Sequence, residues 1–250
     1  MNIRLTVFHY TRNRVLLQVF LSEMFIDFYN RKYYNKNMDK REKIKAYDSK
    51  EIQSSEEILM LLSKWEQEVR QLLPTLPQFN TVFNNTWLIP DTGTGGFARS
   101  KDQIELAFDL HFLDKDRQLD DLKGSLFHEC YHLVQGFVSD DYSYDKVTAL
   151  DNAIYEGAAT VFEKVHTKSQ PKWGEYPERP KALEWLELIR NLGTDVNYSK
   201  WKFYHPELDE RWILYRTGSF IIDEALNNND VKIENLATMP PSDIFRLSRL

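Results

Sequence analysis

The sequence contains little cysteine, glycine or proline, no long hydrophobic run and no excess of basic residues. Its single cysteine, Cys130, excludes a disulfide within the chain, so nothing points to an oxidising compartment. With 9 glycines and 9 prolines among 250 residues, tight turns are few and helices are favoured. The net charge of -6 argues against nucleic acid as the main partner, because binding to phosphates requires a clustered basic surface.

The N-terminal region superficially resembles an export signal, because two arginines precede the apolar run at 15–21. That run contains Gln18, is followed by acidic residues and lacks a small-residue cleavage site. It is also too short to cross a bilayer. We therefore expect an amphipathic helix over 13–30, a cytoplasmic location and no membrane partner. A short strand is expected over 2–10, and residues 31–53 are predicted to form a loop or an exposed helix.

Apolar residues make up 42 % of the chain and aromatic residues 14 %, which is ample for a folded core. Ser54 and Glu57 fit a capping box, which predicts a helix from there to Pro74. Beyond it, β-branched and aromatic residues at 80–90 and alternation over 103–109 predict two strands.

The turn-forming segment 91–96 separates these two strands, which indicates a hairpin or a small antiparallel sheet. Apolar residues then recur at helical spacing near 118–137, 146–168, 180–192, 207–228 and 241–250. The sequence therefore predicts an α+β fold with a small, mainly antiparallel sheet and a mostly helical C-terminal half.

The segment His128-Glu129-Cys130-Tyr131-His132 lies in the predicted helix at 118–137. Histidines four residues apart on a helix project from one face, so both imidazoles can bind the same tetrahedral Zn²⁺. Glu129 follows the first ligand and is placed to take a proton from a zinc-bound water and to deliver it to a leaving group. Alternatively, the two histidines make only polar contacts at the surface of a helix.

A third metal ligand, Glu156, is predicted in the next helix. The interval after His132 suffices for a turn and an antiparallel return helix, which would bring Glu156 beside the histidines. Gly157, Ala158 and Ala159 are small and would let the second helix approach the first closely. Two histidines and one glutamate leave a fourth position for water, as catalytic zinc sites do. Alternatively, Glu156 is a solvated helix residue, as most glutamates are.

This combination of motifs resembles the gluzincin group of zinc metallopeptidases. Within that group the chain is most similar to a bacterial family of predicted zinc-dependent proteases that is carried as a domain of unknown function. The likeness extends from about Trp87 to Leu250. Besides the metal motifs, it includes three weaker ones: Gly95-Gly96-Phe97-Ala98, Arg211-Trp212-x-x-Tyr215-x-x-Gly218 and Met239-Pro240-Pro241-Ser242-x-x-Ile244.

The resemblance implies further residue roles. A gluzincin-like peptidase needs a donor for the oxyanion of the tetrahedral intermediate, and Tyr215 is the first candidate because the resemblance places it on a helix that returns to the site. His205 is the second candidate, and Tyr215 could instead be a packing aromatic. The thermolysin-like pattern has an Asp where this chain has Thr160. Another residue must then orient the histidines, and Asp151 and Asn152 are the alternatives.

We therefore expect a zincin-like metallopeptidase domain over 76–250, with 1–75 as a supporting N-terminal region. The strand over 103–109 is either the sheet edge that pairs with an extended peptide or an ordinary strand. In the predicted reaction Glu129 is the general base at a zinc-activated water, and the substrate is a peptide or protein. The competing hypothesis is a zinc-binding regulatory or interaction module without turnover.

Overall fold

The computed structural model describes residues 15–17, 56–140, 147–193 and 198–250. Its helices are α1 (Glu56–Leu72), α2 (Lys115–Gln135), α3 (Ala149–His166), α4 (Arg179–Arg190), α5 (Tyr198–Lys202), α6 (Ile213–Asn227), α7 (Ile233–Leu236) and α8 (Pro241–Ser248). Its strands are β1 (Val15–Leu17), β2 (Asn80–Phe83), β3 (Thr94–Ser100), β4 (Gln103–Phe108), β5 (Tyr204–His205) and β6 (Glu210–Arg211). The α+β class and the helical C-terminal half are confirmed. The division at residue 75 stays a prediction.

Among the described residues, the main sheet has four strands in the order β1-β2-β4-β3. β2 runs parallel to both β1 and β4, and only β3 and β4 are antiparallel. The expectation of a mainly antiparallel sheet is therefore wrong outside the β3–β4 hairpin. Periodicity identifies strands but carries no information about their relative direction, and neighbouring strands in a sequence suggest a hairpin by default.

The central strand β4 is flanked by β2 and β3, so it is not the edge strand that the sequence suggested as one alternative. Its alternating pattern predicted a half-buried strand, yet every residue from Ile104 to Phe108 is buried. Glu105 is buried because Arg99 Nε and Asn84 Nδ2 lie 2.8 and 3.0 Å from its two carboxylate oxygens. Paired in this way, a charged side chain occupies the interior of the protein.

One edge of the sheet is β3, which begins within the segment predicted as a turn. Gly95 and Gly96 are strand residues, paired with Ala107 and Leu106 of β4. A side chain at residue 95 would place its Cβ 2.0 Å from the backbone oxygen of Trp87. The glycines therefore serve a close approach to the strand rather than a turn.

At the N-terminus, the helix predicted over 13–30 is contradicted at Val15–Leu17, which forms β1 and pairs in parallel with β2. A short apolar run fits a covered strand as well as a helix, so periodicity alone misassigns it. The strand predicted over 2–10, the segment at 31–53 and the cap at Ser54 lie outside the described residues.

The predicted helix before Pro74 is confirmed as α1, which ends at Leu72. Its buried face, formed by Ile58, Leu62, Trp65 and Val69, packs in one core with α2, α3 and the sheet. None of the helices in the described ranges is long and apolar enough to cross a membrane.

Two glycines bring α3 and α6 into backbone contact. A Cβ on Gly218 would lie 1.8 Å from the Ala153 oxygen, and a Cβ on Gly157 would lie 2.1 Å from the carbonyl carbon of Gly218. The expectation that small residues let α3 approach α2 is therefore wrong for Gly157, which serves the crossing with α6. This crossing fixes the position of α6 relative to Glu156, the residue next to Gly157.

The helix predicted over 207–228 begins only at Ile213. Trp212 adopts a left-handed conformation with φ of 54°, which is rare for a bulky residue, and its backbone N–H donates to the Phe203 oxygen at 3.2 Å. Before it, β5 and β6 form a two-stranded ribbon. The apolar spacing of the sequence does not reveal this turn.

Candidate metal centre

The two histidines project from the same face of α2. The helix begins after Asp114, whose side chain accepts from the Arg117 N–H at 3.2 Å, and ends at Gly136, which has φ of 68°. This left-handed conformation, which glycine adopts readily, is a common way for a helix to end. Between these ends, the Nε2 atoms of His128 and His132 lie 3.1 Å apart.

Glu156 of α3 faces both histidines with one carboxylate oxygen. Its Oε2 lies 3.2 Å from His132 Nε2 and 3.5 Å from His128 Nε2. Two ligands of a tetrahedral zinc are about 3.3–3.4 Å apart when each lies at the usual distance from the ion. The separations between the three donor atoms agree with this value, and all three side chains are buried. The structure thus brings together the three predicted ligands in an arrangement that is able to hold a metal ion.

Glu129 lies between α2 and the edge strand β3. A Cβ on Gly96 would lie 2.7 Å from Glu129 Cγ, so the carboxylate occupies space that only a glycine leaves open. Burial raises the pKa of Glu129, although the charges of His128 and His132 oppose this effect. A buried carboxylate with a raised pKa, next to the donor atoms, has the properties expected of a group that takes up and releases a proton.

The residue that orients His128 is Glu163, which the sequence analysis missed. His128 Nδ1 donates to Glu163 Oε2 at 3.2 Å, and Glu163 is 1 % exposed. Glu163 lies two turns after Glu156 on the same helix, and this spacing was a signal that could have identified it. Neither predicted alternative, Asp151 or Asn152, is the partner of a histidine Nδ1, because Glu163 and Gln135 take these positions.

Other side chains hold Glu163 and the second histidine. Ser169 Oγ donates to Glu163 Oε1 at 2.7 Å and lies 3.1 Å from Asp121 Oδ1. Gly124 leaves space for this cluster, because a Cβ there would lie 2.5 Å from Glu163 Oε1. On the other side of the site, His132 Nδ1 donates to Gln135 Oε1 at 2.8 Å.

With both Nδ1 atoms engaged in these hydrogen bonds, the two Nε2 atoms are the ones available to a metal. Such partners fix both the tautomer and the orientation of a ligating imidazole.

A lysine contacts the second oxygen of Glu156. Lys202 Nζ of α5 lies 2.6 Å from Glu156 Oε1. Burial would raise the pKa of Glu156, but the charge of Lys202 and hydrogen bonds to His128 and His132 hold it well below its ordinary value. Lys202 carries no sequence signal, because it follows Glu156 by 46 positions in a five-residue helix.

The carboxylates of Glu156 and Glu163 both raise the pKa of His128. Burial would lower its pKa, but hydrogen bonds to Glu156 and Glu163 outweigh burial and raise the pKa to about 10. In the absence of a metal, a proton on His128 therefore neutralises part of the negative charge of the site. A metal ion must displace this proton.

The structure places Tyr215 of α6 next to the three donor residues, whereas His205 lies in the two-stranded ribbon of β5 and β6. The Tyr215 ring centroid lies 6.4 Å from that of His128. Tyr215 precedes Gly218 by about one helical turn, so the α3–α6 crossing carries it to the site. His205 contacts the Trp201 ring, with centroids 4.4 Å apart, and its Nδ1 lies 3.3 Å from Glu207 Oε2. The role of Tyr215 as an oxyanion donor stays a prediction.

Comparison with known families agrees with this geometry. The family model described as "Predicted Zn-dependent protease (DUF2268)" matches residues 51–246. The chain belongs to this family. The matched stretch includes Glu129 and all three donor residues, so the predicted resemblance is confirmed. Searches for similar curated proteins and for similar solved structures each give no match.

Proposed function

We propose that this protein is a zinc-dependent peptidase. The observation that supports the proposal best is the convergence of His128, His132 and Glu156, whose donor atoms lie 3.1–3.5 Å apart. Two histidines and one carboxylate fit zinc, and a three-ligand set is typical of catalytic sites, since structural zinc sites have four protein ligands. The family description supports the same metal.

Glu129 is the general base and general acid of the proposed reaction. When bound, zinc would lower the pKa of a water molecule and polarise the carbonyl group of the substrate. Glu129 accepts the proton of that water and later gives it to the departing amine. Tyr215 donates its phenolic hydrogen to the carbonyl oxygen as negative charge develops there, and its position beside His128 supports this role.

The substrate in this proposal is a peptide or protein that pairs with the edge strand β3. Alternate residues of a strand direct their backbone groups to the same side. At this outer edge the Thr94 oxygen accepts from Ile89 N–H at 2.8 Å, and the Ala98 oxygen accepts from Ser139 N–H at 3.0 Å. Gly96 lies between them, next to Glu129, and its backbone groups are the ones an extended peptide would reach. The expected cytoplasmic location belongs to the same proposal.

Substitution of the general base tests this function. Glu129→Gln should retain zinc but lose peptide-bond hydrolysis, because the amide keeps the size of the side chain and cannot accept the proton. The assay is cleavage of a broad peptide library, with zinc content measured on the same samples. Glu184→Gln, a change at an exposed position of α4, is the matched control and should cleave like the parent.

Two outcomes would contradict the proposal. Normal turnover by Glu129→Gln would show that another group moves the proton. A parent protein that binds zinc yet cleaves nothing in the library would instead favour the zinc-binding module without turnover.

A further inference from the structure

The two oxygens of Glu156 have different partners. Oε2 faces the Nε2 atoms of His132 and His128, at 3.2 and 3.5 Å. Oε1 accepts a charge-assisted hydrogen bond from Lys202 at 2.6 Å. A carboxylate can offer a metal one oxygen or both, and here the protein itself occupies the second one.

Lys202 is held in this position by buried surroundings. Its side chain is 14 % exposed, and its ammonium lies 5.7 Å from the centre of the Phe137 ring. The preceding residue, Trp201, is buried and packs in a second apolar cluster with α4 and α6. The lysine thus reaches Glu156 from an anchored helix and not from a mobile surface.

We propose that Lys202 is a positioning residue that keeps Glu156 a one-oxygen metal ligand. Turning the carboxylate so that both oxygens face the metal would break the short, charge-assisted hydrogen bond between the partly buried ammonium and the buried carboxylate. Such bonds are among the strongest hydrogen bonds in proteins. The lysine also adds positive charge next to Glu156, in a site that holds two further buried carboxylates, those of Glu129 and Glu163. The fourth metal position stays open for water as a result. This inference rests on the proposed zinc site, but it does not require peptidase activity.

Cobalt substitution gives a direct readout. Co²⁺ replaces zinc in such sites, and four-coordinate Co²⁺ absorbs visible light more strongly than five-coordinate Co²⁺. The full chain loaded with Co²⁺ should show the strong band. Lys202→Met should lower the absorbance per bound Co²⁺ severalfold, because Glu156 becomes free to bind with both oxygens. Lys202→Arg, which keeps the charge and the donor, should retain the band.

A matched control lies on the same helix. Lys200 Nζ is also 2.6 Å from a glutamate, Glu207, which is not a metal ligand. Lys200→Met removes an ion pair of the same length and should leave the spectrum unchanged. Zinc affinity, measured by competition with a chelator, should fall about 10–100-fold in Lys202→Met and stay constant in Lys200→Met.

Each result decides the inference. A parent-like spectrum and zinc affinity in Lys202→Met would refute it and leave the zinc site intact. A parent protein that binds no Co²⁺ would refute the zinc site and the inference together. If Lys202→Met fails to fold, Lys202→Thr replaces it, since threonine is polar but neutral and too short to reach Glu156, and a strong band in that variant would also refute the inference.

Discussion

Replacement of Glu163 by methionine should weaken zinc binding by about 10–100-fold, or about 1.4–2.8 kcal/mol of binding free energy. Glu163 is 1 % exposed and accepts the Nδ1–H of His128 at 3.2 Å. Methionine fills similar space but offers no comparable acceptor. The imidazole then loses the partner that fixes its tautomer and orientation, so Nε2 is less often presented to the metal.

A second variant, Glu163→Gln, tests whether the acceptor oxygen of Glu163 is what matters. Glu163→Gln keeps an oxygen that can accept from His128, so its zinc affinity should lie between those of the parent and of Glu163→Met. Zinc affinity is measured by competition with a chromophoric chelator, with circular dichroism to verify folding. Glu187→Gln, an exposed change on α4, is the control. Equal affinities for the parent and for a folded Glu163→Met would refute the assigned role.

Two further predictions concern stability and pH. Gly218→Ala should lower the free energy of unfolding by about 1–3 kcal/mol in urea denaturation, because the new Cβ would lie 1.8 Å from a backbone oxygen of α3. Gly193→Ala, with nothing within 4 Å, should not lower it, and equal losses in both variants would contradict the close crossing. His128 has a pKa raised from 6.5 to about 10, so its stabilisation of the metal-free protein should be full below pH 6.5 and lost as the pH rises through about 10. Zinc affinity should rise over the same interval, since the metal displaces a proton. Unfolding curves of the parent and of His128→Gln measure the effect on stability, and zinc titrations measure the effect on affinity. A stability difference between the two proteins that does not change with pH would contradict the raised pKa of His128.

The three candidate metal donors could be predicted from the sequence because helix geometry is local. A spacing of four residues places His128 and His132 on one face whatever surrounds the helix. The placement of Glu156 required only that the next helix return antiparallel. Glu163 follows the same rule at seven residues, two turns beyond Glu156, whereas the thermolysin-like pattern places its acidic residue one turn beyond, where this chain has Thr160.

The remaining features depend on contacts between distant parts of the chain. Lys202 reaches Glu156 across 46 positions, and no local pattern marks it. Glu105 is buried because it pairs with Arg99 and Asn84, which no local pattern reveals. The alternation of polar and apolar residues in β4 therefore predicted a half-exposed strand where the structure has a buried central one. The direction of strand pairing is likewise set by tertiary packing, and helical periodicity or β-propensity does not encode it.

The contact between Gly157 and Gly218 joins α3, which carries Glu156, to α6, which carries Tyr215. Glu156 adjoins the first glycine and Tyr215 lies one turn from the second, so the backbone contact between the glycines also sets the separation of these two residues. Any redesign of α6 that alters this glycine pair would therefore also disturb the candidate metal centre.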